Sequence, residues 1–156
     1  MAVHEEQLPV EREVRIDAPP DVIFKFFVDP EHMVRWMGVD ADLEPRPGGI
    51  FRVNVTGQDV ARGEYVEVSP NERVVFTWGW EGEGNPVRPG SSTVEVTLVP
   101  DGSATVVRLR HQGLPGGPDD PHAEGWDHYL DRLAVTVGDG DPGPDPWLRS
   151  PGDEST

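Results

Sequence analysis

Five histidines are the first residues in this 156-residue sequence with chemistry to offer: His4, His32, His111, His122 and His128. No cysteine accompanies them, which excludes thiolate nucleophiles, disulfides, Fe–S clusters and cysteine-based zinc sites. A zinc site would need three of the histidines to converge, and none stands in a His-Glu-x-x-His pattern. Glu124 and His128 share one face of a helical stretch, roughly opposite Trp126 and Leu133, and read as a solvated polar face. Asp139, Asp141 and Asp145 are spaced like part of a calcium loop but lack its glycine and distal glutamate. No metal site is expected. The run from Gly138 to Gly143 matches GxGxxG letter for letter, yet it follows a helix and its aspartates would repel a pyrophosphate. Ser69, Ser91, Ser92 and Ser103 fall in turns or strand starts, without a Gly-x-Ser-x-Gly elbow. No catalytic residue and no cofactor is therefore assigned.

What remains is a wall of large apolar groups. Phe51, Val53, Phe76, Trp78, Val94, Val96 and Leu109 fall on the inward face of a sheet, and Trp126, Tyr129 and Leu130 on a helix that would cover it. These residues make either a filled core or the lining of a cavity for a small hydrophobic molecule. Tyrosine and tryptophan give such a lining area together with a polar handle. His111 is in register with Thr105, Val107 and Leu109 and so points inward at the end of its strand. It is either hydrogen-bonded at the rim of the core or a donor or acceptor to a ligand. Arg35, Arg46 and Arg52 read as surface charges, one of which could meet a ligand carboxylate at the mouth. Neutral aromatic or polycyclic ligands are expected.

The elements that must hold this wall can be read from periodicity. Val10 to Ile16 alternates as a strand, Ala18-Pro19-Pro20 ends it, and Pro20 starts a helix carrying Ile23, Phe26 and Phe27. Asp29 followed by Pro30 opens a second short helix that presents Met33, Trp36 and Met37. The period then falls from 3.6 to 2. Strands are predicted around Phe51–Val55, Tyr65–Val68, Val74–Trp80, Val94–Leu98 and Thr105–His111, with Asp101-Gly102 as a hairpin turn. Gly113 to Pro118 breaks the sheet. Asp119 or Asp120 caps a last helix with Trp126, Leu130, Leu133 and Val137 on one face.

Charge narrows the partners. Thirteen basic residues against 29 acidic ones leave −16, so neither nucleic acid nor an anionic membrane is an expected partner. No apolar run approaches the ~18 residues of a membrane span, and the first residues carry Glu5 and Glu6 and no apolar stretch. A cytoplasmic location is expected. With 18 Gly and 17 Pro the chain should be a globular centre with long turns. Residues 8–138 are expected to form one domain. Residues 139–156 are expected to be an acidic Gly/Pro-rich tail without fixed structure, in which Trp147-Leu148 is the apolar pair able to dock locally or on a neighbouring subunit.

The order strand, two short helices, antiparallel strands, long helix resembles the helix-grip fold of the START/Bet v 1-like (SRPBCC) superfamily. The stretches Phe24 to Trp36, Asp42 to Val53, Gly63 to Trp78, Thr93 to His111 and His122 to Leu133 resemble the C-terminal domain of activators of the Hsp90 ATPase. The resemblance implies an α+β fold in which a curved antiparallel sheet of six to seven strands wraps a C-terminal helix. It also implies three classes of function: a binding protein for a small hydrophobic molecule, a chaperone-interaction module, or a polyketide cyclase-like enzyme with His111 or Tyr129 moving a proton. Fold alone does not choose among these. A protein partner and either a monomer or a homodimer are compatible with it.

Overall fold

Two periodicities divide the chain, and the computed structural model, which describes residues 9–82, 87–116, 120–139, 141–143 and 145–148, follows both. Strand β1 (Val10–Ile16) leads into helices α1 (Pro20–Val28) and α2 (Pro30–Met33). Strands β2 (Asp40–Leu43), β3 (Ile50–Asn54), β4 (Val60–Ser69), β5 (Arg73–Trp78), β6 (Ser92–Asp101) and β7 (Ala104–Gln112) follow, and helix α3 (His122–Asp139) completes the order. Pro20 occupies the first turn of α1. Asp29 caps α2, its carboxylate accepting the Glu31 N–H at 3.1 Å.

All seven strands form one antiparallel sheet in the order β1-β7-β6-β5-β4-β3-β2. The first strand therefore pairs with the last, Val14 opposite Val107, while α1 and α2 carry the chain across to the far edge. This is the helix-grip α+β fold expected from the order of elements.

The sheet curves for local reasons. Between β4 and β5 the register slips so that Tyr65 faces Phe76 and Glu67 faces Val75. Val66 is left as the extra residue of a bulge, half exposed, and a bulge bends and twists its strand. At Gly63 a Cβ would run into the Thr77 carbonyl, so the two backbones approach as closely as only glycine permits.

Two strands run differently from the sequence expectation. β2 was not expected, because of its four residues only Leu43 is buried; an edge strand needs no alternating apolar face. β5 stops at Trp78, and Trp80 instead makes an isolated bridge to Ala61. That bridge swings Trp80 to the open end of the sheet.

Helix α3 lies across the concave face, burying Trp126, Tyr129, Leu130 and Leu133. At its start Asp120 accepts the His122 backbone N–H at 3.0 Å, which is the capping role expected there. Among the described residues no helix is long and apolar enough to cross a membrane.

Candidate functional site

The middle of the sheet is filled. Phe51 stacks on Phe76 with ring centroids 4.0 Å apart and planes 13° off parallel. Tyr65 closes one side, its hydroxyl donating to the Phe27 carbonyl at 2.9 Å. Burial raises the Tyr65 phenol well above its ordinary range. Phe51, Val53, Phe76, Val94, Val96, Leu109 and Leu130 are none of them more than 3% exposed.

The packing opens at the end where β5 runs out and α3 begins. A cavity of about 380 Å³ lies there, lined by Met37, Val55, Thr56, Trp78, Trp80, Pro121, His122, Glu124, Gly125, Trp126, Tyr129 and Trp147. Three expected ligand residues, Trp78, Trp126 and Tyr129, are brought together on its wall. Arg35, Arg46 and Arg52, read as surface charges of which one could meet a ligand carboxylate at the mouth, are not among its lining. Arg52 is paired instead with Glu81 at 2.8 Å.

Hydrogen-bond polarity fixes the protonation of the two histidines beside this wall. An indole N–H can only donate. Trp126 Nε1 lies 2.9 Å from His111 Nδ1, which must accept. His111 Nε2 therefore carries the proton and donates to Ser92 Oγ at 2.8 Å, while that hydroxyl donates to the Trp78 carbonyl at 2.9 Å. His111 is fully buried. Its pKa falls from 6.5 to about 3, through burial first and the neighbouring His122 second. Both nitrogens are spent on hydrogen bonds within the protein.

His122 has the opposite tautomer. Trp80 Nε1 donates to His122 Nε2 at 2.9 Å, so Nδ1 carries the proton and donates to Asp120 Oδ1 at 2.7 Å. Asp120 is buried. Burial alone would raise its pKa, but the bonds from the His122 backbone and ring and from the Gly116 N–H outweigh it and lower the net value. An ionised carboxylate thus orients an imidazole on the cavity wall.

The described part of the C-terminal tail forms the remaining wall. Asp145 accepts from Tyr129 Oη at 2.8 Å, from His128 Nε2 at 2.8 Å and from the Trp147 backbone N–H at 3.0 Å. Trp147 stacks on the His128 ring at 3.8 Å. Burial, and then the bond to Asp145, raise the Tyr129 phenol well above its ordinary range, so it stays a neutral donor. One expectation is corrected here: His128 is not on a solvated face, because the returning tail covers it. Asp145 bonds the tail to α3 through His128 and Tyr129, and the Gly143 carbonyl accepts from Arg132 at 3.1 Å. Of the expected tail, residues 140, 144 and 149–156 lie outside the described residues, as does His4. Of the expected break at Gly113 to Pro118, residues 117 and 118 do so too.

Sequence reasoning missed His122 and Glu124 as lining residues, whereas it left Trp147 able to dock locally. The Asp120-Pro121-His122 run at a helix start was a usable signal, since a side chain there caps the helix and reaches a neighbour two residues on. Among the described residues no group of three or more His, Asp or Glu is placed to hold a metal ion.

The curved sheet gripping α3, with an aromatic cavity at one end, defines a START-like, SRPBCC-type domain. The chain belongs to the family described as activator of Hsp90 ATPase homolog 1-like protein, whose sequence model matches residues 17–138. Strand β1 begins before that match yet is part of the same sheet.

A solution NMR structure of an AHSA1-like protein from Rhizobium etli is 44% identical, with 97% of this chain and 94% of that one covered and a TM-score of 0.72. The crystal structure of DynU16, a protein of the dynemicin biosynthetic locus, is 27% identical with a TM-score of 0.74, covering 86% of this chain and 48% of that one. The Aha1 dimer from Colwellia psychrerythraea shares the fold at 18% identity and a TM-score of 0.69, covering 83% of this chain and 96% of that one. An uncharacterized protein of Schizosaccharomyces pombe is 26% identical over 129 residues, which are 78% of this chain. The chain spans only 34% of the length of that curated relative.

Proposed function

We propose that the domain binds a small, largely apolar molecule in the cavity between the end of the sheet and α3. The observation that carries this reading is the cavity itself, a space of about 380 Å³ walled mainly by aromatic rings in a domain whose centre is otherwise packed. Interiors at native density leave few voids larger than a water molecule, and apolar pockets of a few hundred Å³ are the usual small-molecule sites. The likeness to DynU16, a protein of a biosynthetic locus, supports a small-molecule role.

A second reading, proton transfer, has one observation behind it. Asp120 orients His122 as the carboxylate of a catalytic pair orients its base, although Trp80 occupies the basic nitrogen. Chaperone interaction rests on the family description alone.

The test is a fluorescence titration with a panel of aromatic and polycyclic compounds, repeated with Trp78→Phe and Trp126→Phe. Saturable quenching that weakens in both variants supports the cavity reading. A flat response to every compound would remove it.

A further inference from the structure

We infer that the occupant of this cavity is a hydrophobic organic cation, a quaternary or protonated amine on an aromatic or alkyl body. The inference deepens the cavity reading above and rests on it.

The Trp80 N–H is spent on His122, the Trp126 N–H on His111, the Tyr129 hydroxyl on Asp145 and the Thr56 hydroxyl on Asp59. The His122 Nδ1–H is spent on Asp120. Trp78 Nε1 is buried and has no acceptor among the described residues. The partly exposed Trp147 N–H is the other side-chain donor of the lining with no acceptor among the described residues. No lysine or arginine lines the space. Arg132, whose charge reaches Tyr129, is bonded to the carbonyls of Trp36 and Gly143. A carboxylate or phosphate ligand would be stripped of water and given almost nothing in return.

A cation meets the reverse situation. Five π-systems, those of Trp78, Trp80, Trp126, Tyr129 and Trp147, border the space, and aromatic rings attract quaternary ammonium groups through their quadrupoles. The Glu124 carboxylate stands at the exposed rim and makes no ion pair among the described residues. Directly behind the wall, Asp120 and Asp145 are both held ionised by their hydrogen bonds. The whole chain, at −16, adds to the same field.

The experiment compares three probes of one shape on the intact chain by calorimetry and indole NMR shifts. They are 2-naphthyltrimethylammonium, its uncharged carbon isostere 2-tert-butylnaphthalene, and 2-naphthoate. The cation is expected to bind about tenfold tighter than the isostere at low salt, with the anion weakest. In Glu124→Gln, an exposed and fold-neutral change, the margin is expected to narrow about threefold. An isostere or anion that binds as tightly as the cation would overturn the charge assignment and leave the cavity reading standing. A margin unchanged in Glu124→Gln would overturn the part given to that residue. If none of the three perturbs the indoles, both readings fall together.

Discussion

The rings of His111 and His122 stand 5.4 Å apart, yet their protons are on opposite nitrogens because each takes an indole donor on a different edge. In His111 the acceptor is Nδ1 and in His122 it is Nε2. The ring ¹⁵N shifts of His111 are therefore expected to report a neutral Nε2–H tautomer at pH 5, where an ordinary histidine of pKa ~6.5 is almost wholly charged. A cationic ring at that pH would contradict the assignment. The folded pKa is lowered to about 3, so unfolding takes up a proton between that value and 6.5. The stability His111 contributes is complete above pH 6.5 and is lost as pH falls toward 3, by up to about 1.4 kcal/mol per pH unit. Trp126→Phe keeps the ring but leaves His111 Nδ1 without its donor, and is expected to cost about 1–3 kcal/mol in urea unfolding. That His111 points inward was legible from the period-2 register of its strand. Its role was not, because Ser92 and Trp126 reach it from two other elements. His122 was read only as a failed zinc ligand, since its partner Trp80 lies across the sheet.

Among the elements, β5 and the returning tail decide where the cavity lies. The backbone of β4 presses so close to β5 at Gly63 that Gly63→Ala is expected to cost upwards of about 2 kcal/mol. A fully stable variant would mean that the two strands can part. The described tail is held by the Asp145 carboxylate and by the Gly143 carbonyl, which accepts from Arg132. Asp145→Ala removes the acceptor of Tyr129, His128 and the Trp147 N–H together. It is expected to lower stability by about 1–3 kcal/mol and to move Trp147 emission toward that of an indole in water. No change in either would show that the tail contributes no wall. Most of the six longer strands and α3 could be read from periodicity because they bury one alternating or helical face, although β5 buries Val75 beside Val74 and Phe76. β2 and the first half of β4 could not, being an edge strand and a run through Ala61 and Gly63 with little β preference. Trp147 was legible as an apolar residue able to dock, but its seat was not, for that is built by Asp145 together with His128 and Tyr129 of α3.

For the molecule as a whole, the sheet and α3 could have closed into a dry core along their full length. The centre does so around Phe51 and Phe76, whereas one end keeps about 380 Å³ of space. The sequence could place aromatic side chains on the two facing surfaces but not tell filled from hollow, because that depends on how far α3 stands off at its N-terminal end. The tryptophans supply an internal reference. Trp78, Trp80, Trp126 and Trp147 line the cavity, while Trp36 is buried elsewhere with its N–H on the Phe26 carbonyl at 2.9 Å. The most direct measurement is therefore a titration of the intact protein with naphthalene, followed through the five indole ¹H–¹⁵N resonances. Saturable shifts are expected for Trp78, Trp80 and Trp126, with Trp36 unmoved. Resonances that stay still throughout, or that move as much at Trp36 as at the other four, would contradict a ligand site between the sheet and α3.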